Sequence, residues 1–108
     1  MARKKLETLS EQMYYVLLSL YDRPMHGYRI MQYVTELTQG RVVIGAGTLY
    51  ALLGRFEDEG YLCLNGTAEG RKSYELTPAG RQALENEFDR LRRQVADGAR
   101  FLEKGDAK

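Results

Sequence analysis

The chain has 108 residues, 44% apolar and 29% charged, with a formal net charge of +1. That is the size of one domain and the composition of a soluble globular protein. Apolar runs are short, as at Val16-Leu17-Leu18, which excludes a membrane span. The lone Cys63 excludes an intramolecular disulfide and fits a reducing, cytoplasmic setting.

The N-terminus, Met1-Ala2-Arg3-Lys4-Lys5, is basic but lacks the apolar stretch of a secretory signal. Charge is unevenly spread. Residues 1–55 hold seven Lys/Arg against four Asp/Glu, after which acids cluster at Glu57-Asp58-Glu59. Any contact with a polyanion must therefore come from a local basic face.

Apolar positions at Leu9, Met13, Val16, Leu17 and Leu20 predict a first helix over 9–21. Thr8 and Glu11 have the spacing of a capping box, and Ser10 is a second candidate cap. Asp22-Arg23-Pro24 ends it. A second helix is expected to begin between Met25 and Gly27 and end by Gly40, with Tyr28, Met31, Val34 and Leu37 inward. Arg41 to Ile44 reads as a brief extended segment, a candidate minor strand. A third helix follows from about Thr48 to Glu59. Leu49, Leu52, Leu53 and Phe56 form its buried stripe, and Gly60 suits the left-handed stop. Its outward face is Thr48, Tyr50, Ala51, Gly54, Arg55 and Asp58.

Alternation over Tyr61 to Asn65 and Arg71 to Leu76 predicts a hairpin, with Gly66-Thr67-Ala68-Glu69-Gly70 as the turn. Leu62 and Leu64 should match Tyr74 and Leu76 on one face. Thr77-Pro78 has cap-then-proline chemistry for a last helix reaching about Glu103. Leu84, Phe88, Leu91, Val95 and Leu102, with Gly98 in the missing slot, give a heptad seam. At 1.5 Å per residue such a helix is about 39 Å long, too long to pack wholly on so small a domain. The seam is expected to meet a second subunit.

The fold class is thus mainly α with a small β-hairpin. Residues 1–76 are expected to form a winged helix-turn-helix and 77–108 a C-terminal dimerisation helix, in one compact unit. A helix handing over to a basic hairpin is how such a domain meets double-stranded DNA. The candidate DNA contacts are Thr48, Tyr50, Ala51 and Arg55 on the third helix and Arg71 and Lys72 on the wing, where Glu69 offers a neutralising charge. His26 and Tyr28 at the second helix and Lys4 and Lys5 in the arm complete the set. Tyr14, Tyr15, Leu84, Phe88, Leu91, Val95, Phe101 and Leu102 are the candidates for a dimer interface or an effector pocket within it.

With those residues in hand, the chain resembles the PadR family of bacterial transcriptional regulators over nearly its whole length. The similarity runs through Pro24-Met25-His26-Gly27-Tyr28, Gly47-Thr48-Leu49-Tyr50, Glu59-Gly60-Tyr61-Leu62 and Gly70-Arg71-Lys72-Ser73-Tyr74-Glu75-Leu76-Thr77-Pro78-Ala79-Gly80-Arg81. The single C-terminal helix looks like the shorter subfamily, which includes sensors of lipophilic drugs. Ala51 stands where many members have proline, and the chain has no tryptophan. The resemblance implies a homodimeric repressor on a palindromic operator, answering to a small aromatic or lipophilic effector and needing no cofactor.

Other chemistries have less support. Cys63 and the single histidine share no motif, and Gly45-Ala46-Gly47 lacks the context of a phosphate loop. His26 has no partners at metal-ligand spacing. Neither catalysis nor a metal is expected. The alternative reading is a winged-helix protein-interaction module without DNA binding, suggested by the acidic Glu57-Asp58-Glu59 patch. A third is a redox sensor at Cys63.

Overall fold

The computed structural model describes residues 8–68 and 70–103. Helix α1 (Glu11–Ser19) starts at Ser10, whose Oγ accepts the Met13 N–H at 3.2 Å. The Ser10 N–H in turn donates to Met13 Sδ at 3.4 Å, so a thioether closes the capping box. The cap therefore falls at Ser10 rather than Thr8, and the helix is shorter than the apolar spacing predicts. Val16 and Leu17 are fully buried.

Met25–His26 form strand β1, and helix α2 (Gly27–Leu37) begins directly after it. The buried stripe of α2 is Gly27, Ile30 and Val34. Tyr28 and Leu37 are instead about half exposed, at 54% and 45%. The helix is thus rotated from its expected inward face, because Ile30 and Val34 are the fully buried side chains that join the core cluster with Val16, Leu17 and Leu49.

Residues 41–44 are a bend and irregular loop, not the expected extended segment or minor strand. Thr38 Oγ1 accepts the Val42 N–H at 3.0 Å, so a side chain takes the place of a strand neighbour. The third strand is β1. It pairs antiparallel with β3 (Arg71–Leu76), placing Met25 opposite Tyr74 and His26 opposite Ser73.

Helix α3 (Ala46–Glu59) buries Leu49, Leu53 and Phe56 and stops at Gly60, whose φ of 81° is left-handed. Full burial of a side chain such as Phe56 contributes about 1.5–3 kcal/mol. Strand β2 (Leu62–Ala68) pairs with β3 as expected, Leu62 against Leu76 and Leu64 against Tyr74. The hairpin is longer than alternation predicts, since Thr67 still pairs with Lys72 and Ala68 with Arg71 beyond an irregularity at 64–67. The sheet order is β1-β3-β2.

Thr77 opens helix α4 (Pro78–Leu102), its side chain accepting the Gly80 N–H at 3.0 Å. The first half of α4 packs on α1. Leu84 is 3% exposed there, and so is a carboxylate, Glu87, at 4%. Arg90 Nε donates to Glu87 Oε1 at 3.0 Å, and Arg90 Nη2 donates to Glu87 Oε2. Those hydrogen bonds, aided by the Arg90 charge and the Leu9 N–H, hold the Glu87 carboxyl below its ordinary range against the opposing effect of burial. A carboxylate held low stabilises the fold above its unfolded pKa of about 4.3, and that stability is lost as pH falls through the lower folded value. Glu87→Gln is therefore expected to cost about 1–2 kcal/mol at pH 7. In acid the two proteins should converge, which melting curves at pH 7 and pH 3 would check.

Candidate nucleic-acid interface

Three elements converge on one cleft. Tyr50 projects from the second turn of α3, His26 and Tyr28 from the β1–α2 junction, and Arg71 and Lys72 from the start of β3. Together with Gly27, Gly70 and Tyr74 they line a cleft of about 510 Å³. His26 caps α2, its Nδ1 accepting the Arg29 N–H at 3.2 Å, while Nε2 lies 3.4 Å from Arg71 Nη1. Burial, then the Glu57 carboxylate and Tyr50, push the Tyr74 phenol up and keep it neutral. Among the described lining residues none is acidic. The cleft is a basic, hydroxyl-rich surface.

Close approach at Gly27 makes this possible. A Cβ there would fall within 2.9 Å of three Tyr50 atoms. Gly27 thus seats the Tyr50 ring, leaving the residue 49% exposed.

Along the rest of α3, 100° per residue places Gly47, Ala51, Gly54 and Asp58 on one outward stripe. Tyr50 flanks it on one side and Thr48 with Arg55 on the other. The Cβ positions of Gly47 and Gly54 meet nothing within 4 Å. Gly45 provides no side-chain cap, so the first N–H groups of α3 are left for an acceptor from outside. Arg55 is partly committed, its Nε 3.5 Å from Glu59 Oε2. Lys4, Lys5 and Glu69 lie outside the described residues.

The expected interface residues divide. Tyr14, Leu18, Tyr21, Leu84 and Phe88 line an apolar groove of about 410 Å³ between α1 and α4, rimmed by Glu85 and Asp89. Tyr15 does not join it. Its hydroxyl accepts from Arg41 Nη2 at 3.0 Å, fastening α1 to the α2–α3 loop. Leu84 belongs to the chain's own core. Leu91 is half-buried, while Phe88, Val95, Phe101 and Leu102 are 50%, 70%, 67% and 86% exposed.

Spacing alone did not single out Tyr74 or Gly70 for the cleft. Tyr74 reads as an inward strand residue, and only the pairing of β1 on β3 brings its edge to the site.

The model of the PadR-like family of transcriptional regulators matches residues 16–86, from the core of α1 to the start of α4. The chain belongs to that family. A transcriptional regulator from Clostridium thermocellum has the same fold, with a TM-score of 0.74 at 24% identity over 83% of this chain and 91% of that one. A PadR family regulator from Clostridium difficile superposes with a TM-score of 0.75 at 24% identity, covering 86% and 99%. Bacillus subtilis PadR, solved in complex with operator DNA, matches at 27% identity and a TM-score of 0.65, over 71% of this chain and 46% of that one. A curated protein of Streptomyces fradiae, described as an uncharacterized 37.1 kDa protein in transposon TN4556, is 35% identical over 78 residues. That match covers 72% of this chain but 22% of the relative's length. Among the described residues of this PadR-like chain, no helix is long and apolar enough to cross a membrane.

Proposed function

We propose that this PadR-like chain is a DNA-binding transcriptional regulator acting as a homodimer, a repressor on a palindromic operator. The observation that carries the reading is the single cleft in which Tyr50, His26, Tyr28, Arg71 and Lys72 meet beside an uncapped helix start. In this reading the outward stripe of α3 enters the major groove. Its small residues let the helix backbone come close, while Thr48 and Arg55 on its flank reach base edges or phosphates. The wing holds the backbone through Arg71 and Lys72. The relative solved on operator DNA supports the assignment.

The dimer is proposed from α4. Phe88, Val95, Phe101 and Leu102 leave apolar side chains uncovered on one chain, and a heptad-spaced face of this kind matches a second copy of itself. The half-sites would lie about 34 Å apart, one turn of DNA. A small aromatic or lipophilic effector bound at the Tyr14–Phe88 groove would act by favouring one orientation of the two heads.

Fluorescence anisotropy tests the reading, with duplex from upstream of the chain's own gene, a scrambled duplex and two salt concentrations. Tight, sequence-preferring, salt-sensitive binding is expected. No binding to either duplex favours a protein-interaction module, for which the exposed Glu57 and Asp58 would be the contact surface.

Gly27→Ala gives a sharper check. The methyl group displaces a movable Tyr50 ring rather than backbone, so the melting temperature should change by only a few degrees. Operator affinity should fall about tenfold, the loss of roughly one good contact. A variant binding as tightly as the parent would remove Tyr50 from the interface.

A further inference from the structure

A neutral imidazole has one acceptor nitrogen and one N–H. His26 is approached by two donors: the Arg29 N–H lies 3.2 Å from Nδ1 and the Arg71 guanidinium 3.4 Å from Nε2. The ring cannot accept from both. The Arg29 N–H is fixed in the first turn of α2 and depends on its cap. Arg71 is an exposed side chain at a strand end, on several rotatable bonds. Nδ1 therefore remains the acceptor, and Nε2 carries the hydrogen.

Two donors then face each other, and among the described residues that line the cleft none is a carboxylate. His26 sits opposite Ser73, and Arg71 is two residues along the same strand, on the same face. Among the described charged neighbours, the Glu57 carboxylate acts on the Tyr74 phenol. Lys72 adds a positive charge to the cleft, and the Arg29 guanidinium turns away to Glu36 at 3.3 Å. Tyr28, Tyr50 and Tyr74 contribute phenols, and no described lining residue is a carboxylate.

From this geometry we propose that His26 and Arg71 grip one DNA backbone phosphate jointly, His26 through a neutral Nε2–H and Arg71 through its charge. This rests on the DNA-binding reading above and specifies how the cleft holds the strand. A single phosphate oxygen accepts both hydrogens and turns an unfavourable pair of donors into a favourable one. His26 thus has two roles at once: Nδ1 holds the start of α2, and Nε2 holds the ligand.

The test uses a mixed-sequence duplex at low salt, because phosphate contacts do not depend on sequence. Serine is a good helix cap, so His26→Ser keeps α2 while removing the N–H. His26→Ser and Arg71→Gln should each weaken binding about tenfold. Arg71→Gln should lower the salt slope by about one, and His26→Ser should leave it unchanged, since a neutral donor releases no counterion. The double variant should be little weaker than either single one, because both groups hold the same phosphate. A double variant equal to the product of the two, or a His26→Ser protein that binds like the parent, overturns the joint grip alone. Failure of the unaltered chain to bind duplex overturns the DNA reading together with it.

A second measurement needs no variant. The chain has a single histidine, so its imidazole 15N spectrum is unambiguous. Hydrogen on Nε2 in the free protein, with that resonance shifting when duplex is added, is the expected result. Hydrogen on Nδ1 overturns the proposal.

Discussion

Val95→Asp is expected to leave a folded monomer and to weaken operator binding at least about a hundredfold. Val95 is 70% exposed, so an aspartate there is solvated within one chain and costs no more than about 0.7 kcal/mol in helix propensity. In the proposed dimer the same position is buried in the α4 seam. A carboxylate would lose water there without gaining a partner, which costs several kcal/mol. Loss of the dimer separates the two DNA-reading heads. Linked heads bind as if at millimolar local concentration, so their separation removes a factor of roughly 10² to 10⁴. Light scattering with anisotropy on the operator duplex measures both effects. Val95 is a cleaner site than Leu91, which is half-buried and where the fold itself would be disturbed. A Val95→Asp protein that stays dimeric and binds operator normally would end the case for the seam.

Gly80→Ala should destabilise the protein by about 3 kcal/mol, at the upper end for overpacking. The first turn of α4 passes directly over the end of α3. Thr77 N–H donates to the Tyr61 carbonyl at 3.0 Å, and Thr77 Oγ1 donates to the Gly60 carbonyl at 2.6 Å. A Cβ on Gly80 would press into that same Tyr61 carbonyl, within 2.9 Å of its carbon. Backbone cannot rotate aside as a side chain can. The melting temperature should fall by roughly 10 to 20 °C. Gly54→Ala is the control, because a Cβ there meets nothing within 4 Å. In that helix interior alanine should add up to about 1 kcal/mol. Two equal falls in melting temperature would show that the Tyr61 contact is not what matters at Gly80.

Much of the fold was legible locally. Thr77-Pro78 marks the start of α4 and Gly60 the end of α3, because caps and stops depend on a few adjacent residues. The Leu62–Leu76 register follows from alternation on both strands. β1 was not legible, since two residues carry no period. Its pairing comes from the edge that β3 presents. The inward face of α2 was misread for a related reason. Tyr28 and Leu37 have the right spacing, but Ile30 packs into the core with Val34 instead.

The site shows the same division. The residue types of the candidate basic face stand plainly in the chain, and the family resemblance in their order agrees with the match over 16–86. That His26 and Arg71, 45 residues apart, meet at 3.4 Å is invisible in one dimension. So is the burial of Glu87 beside Leu84.

By itself, then, the sequence determined the helices and the hairpin, because periodicity, capping and turn chemistry act within a few residues, and its ordered motifs carried the resemblance to the family. Only the tertiary structure decided which strand completes the sheet, which face of α2 is buried and which side chains share the cleft. Those depend on contacts between distant segments, and such contacts form only when the core closes and each helix settles against its neighbours.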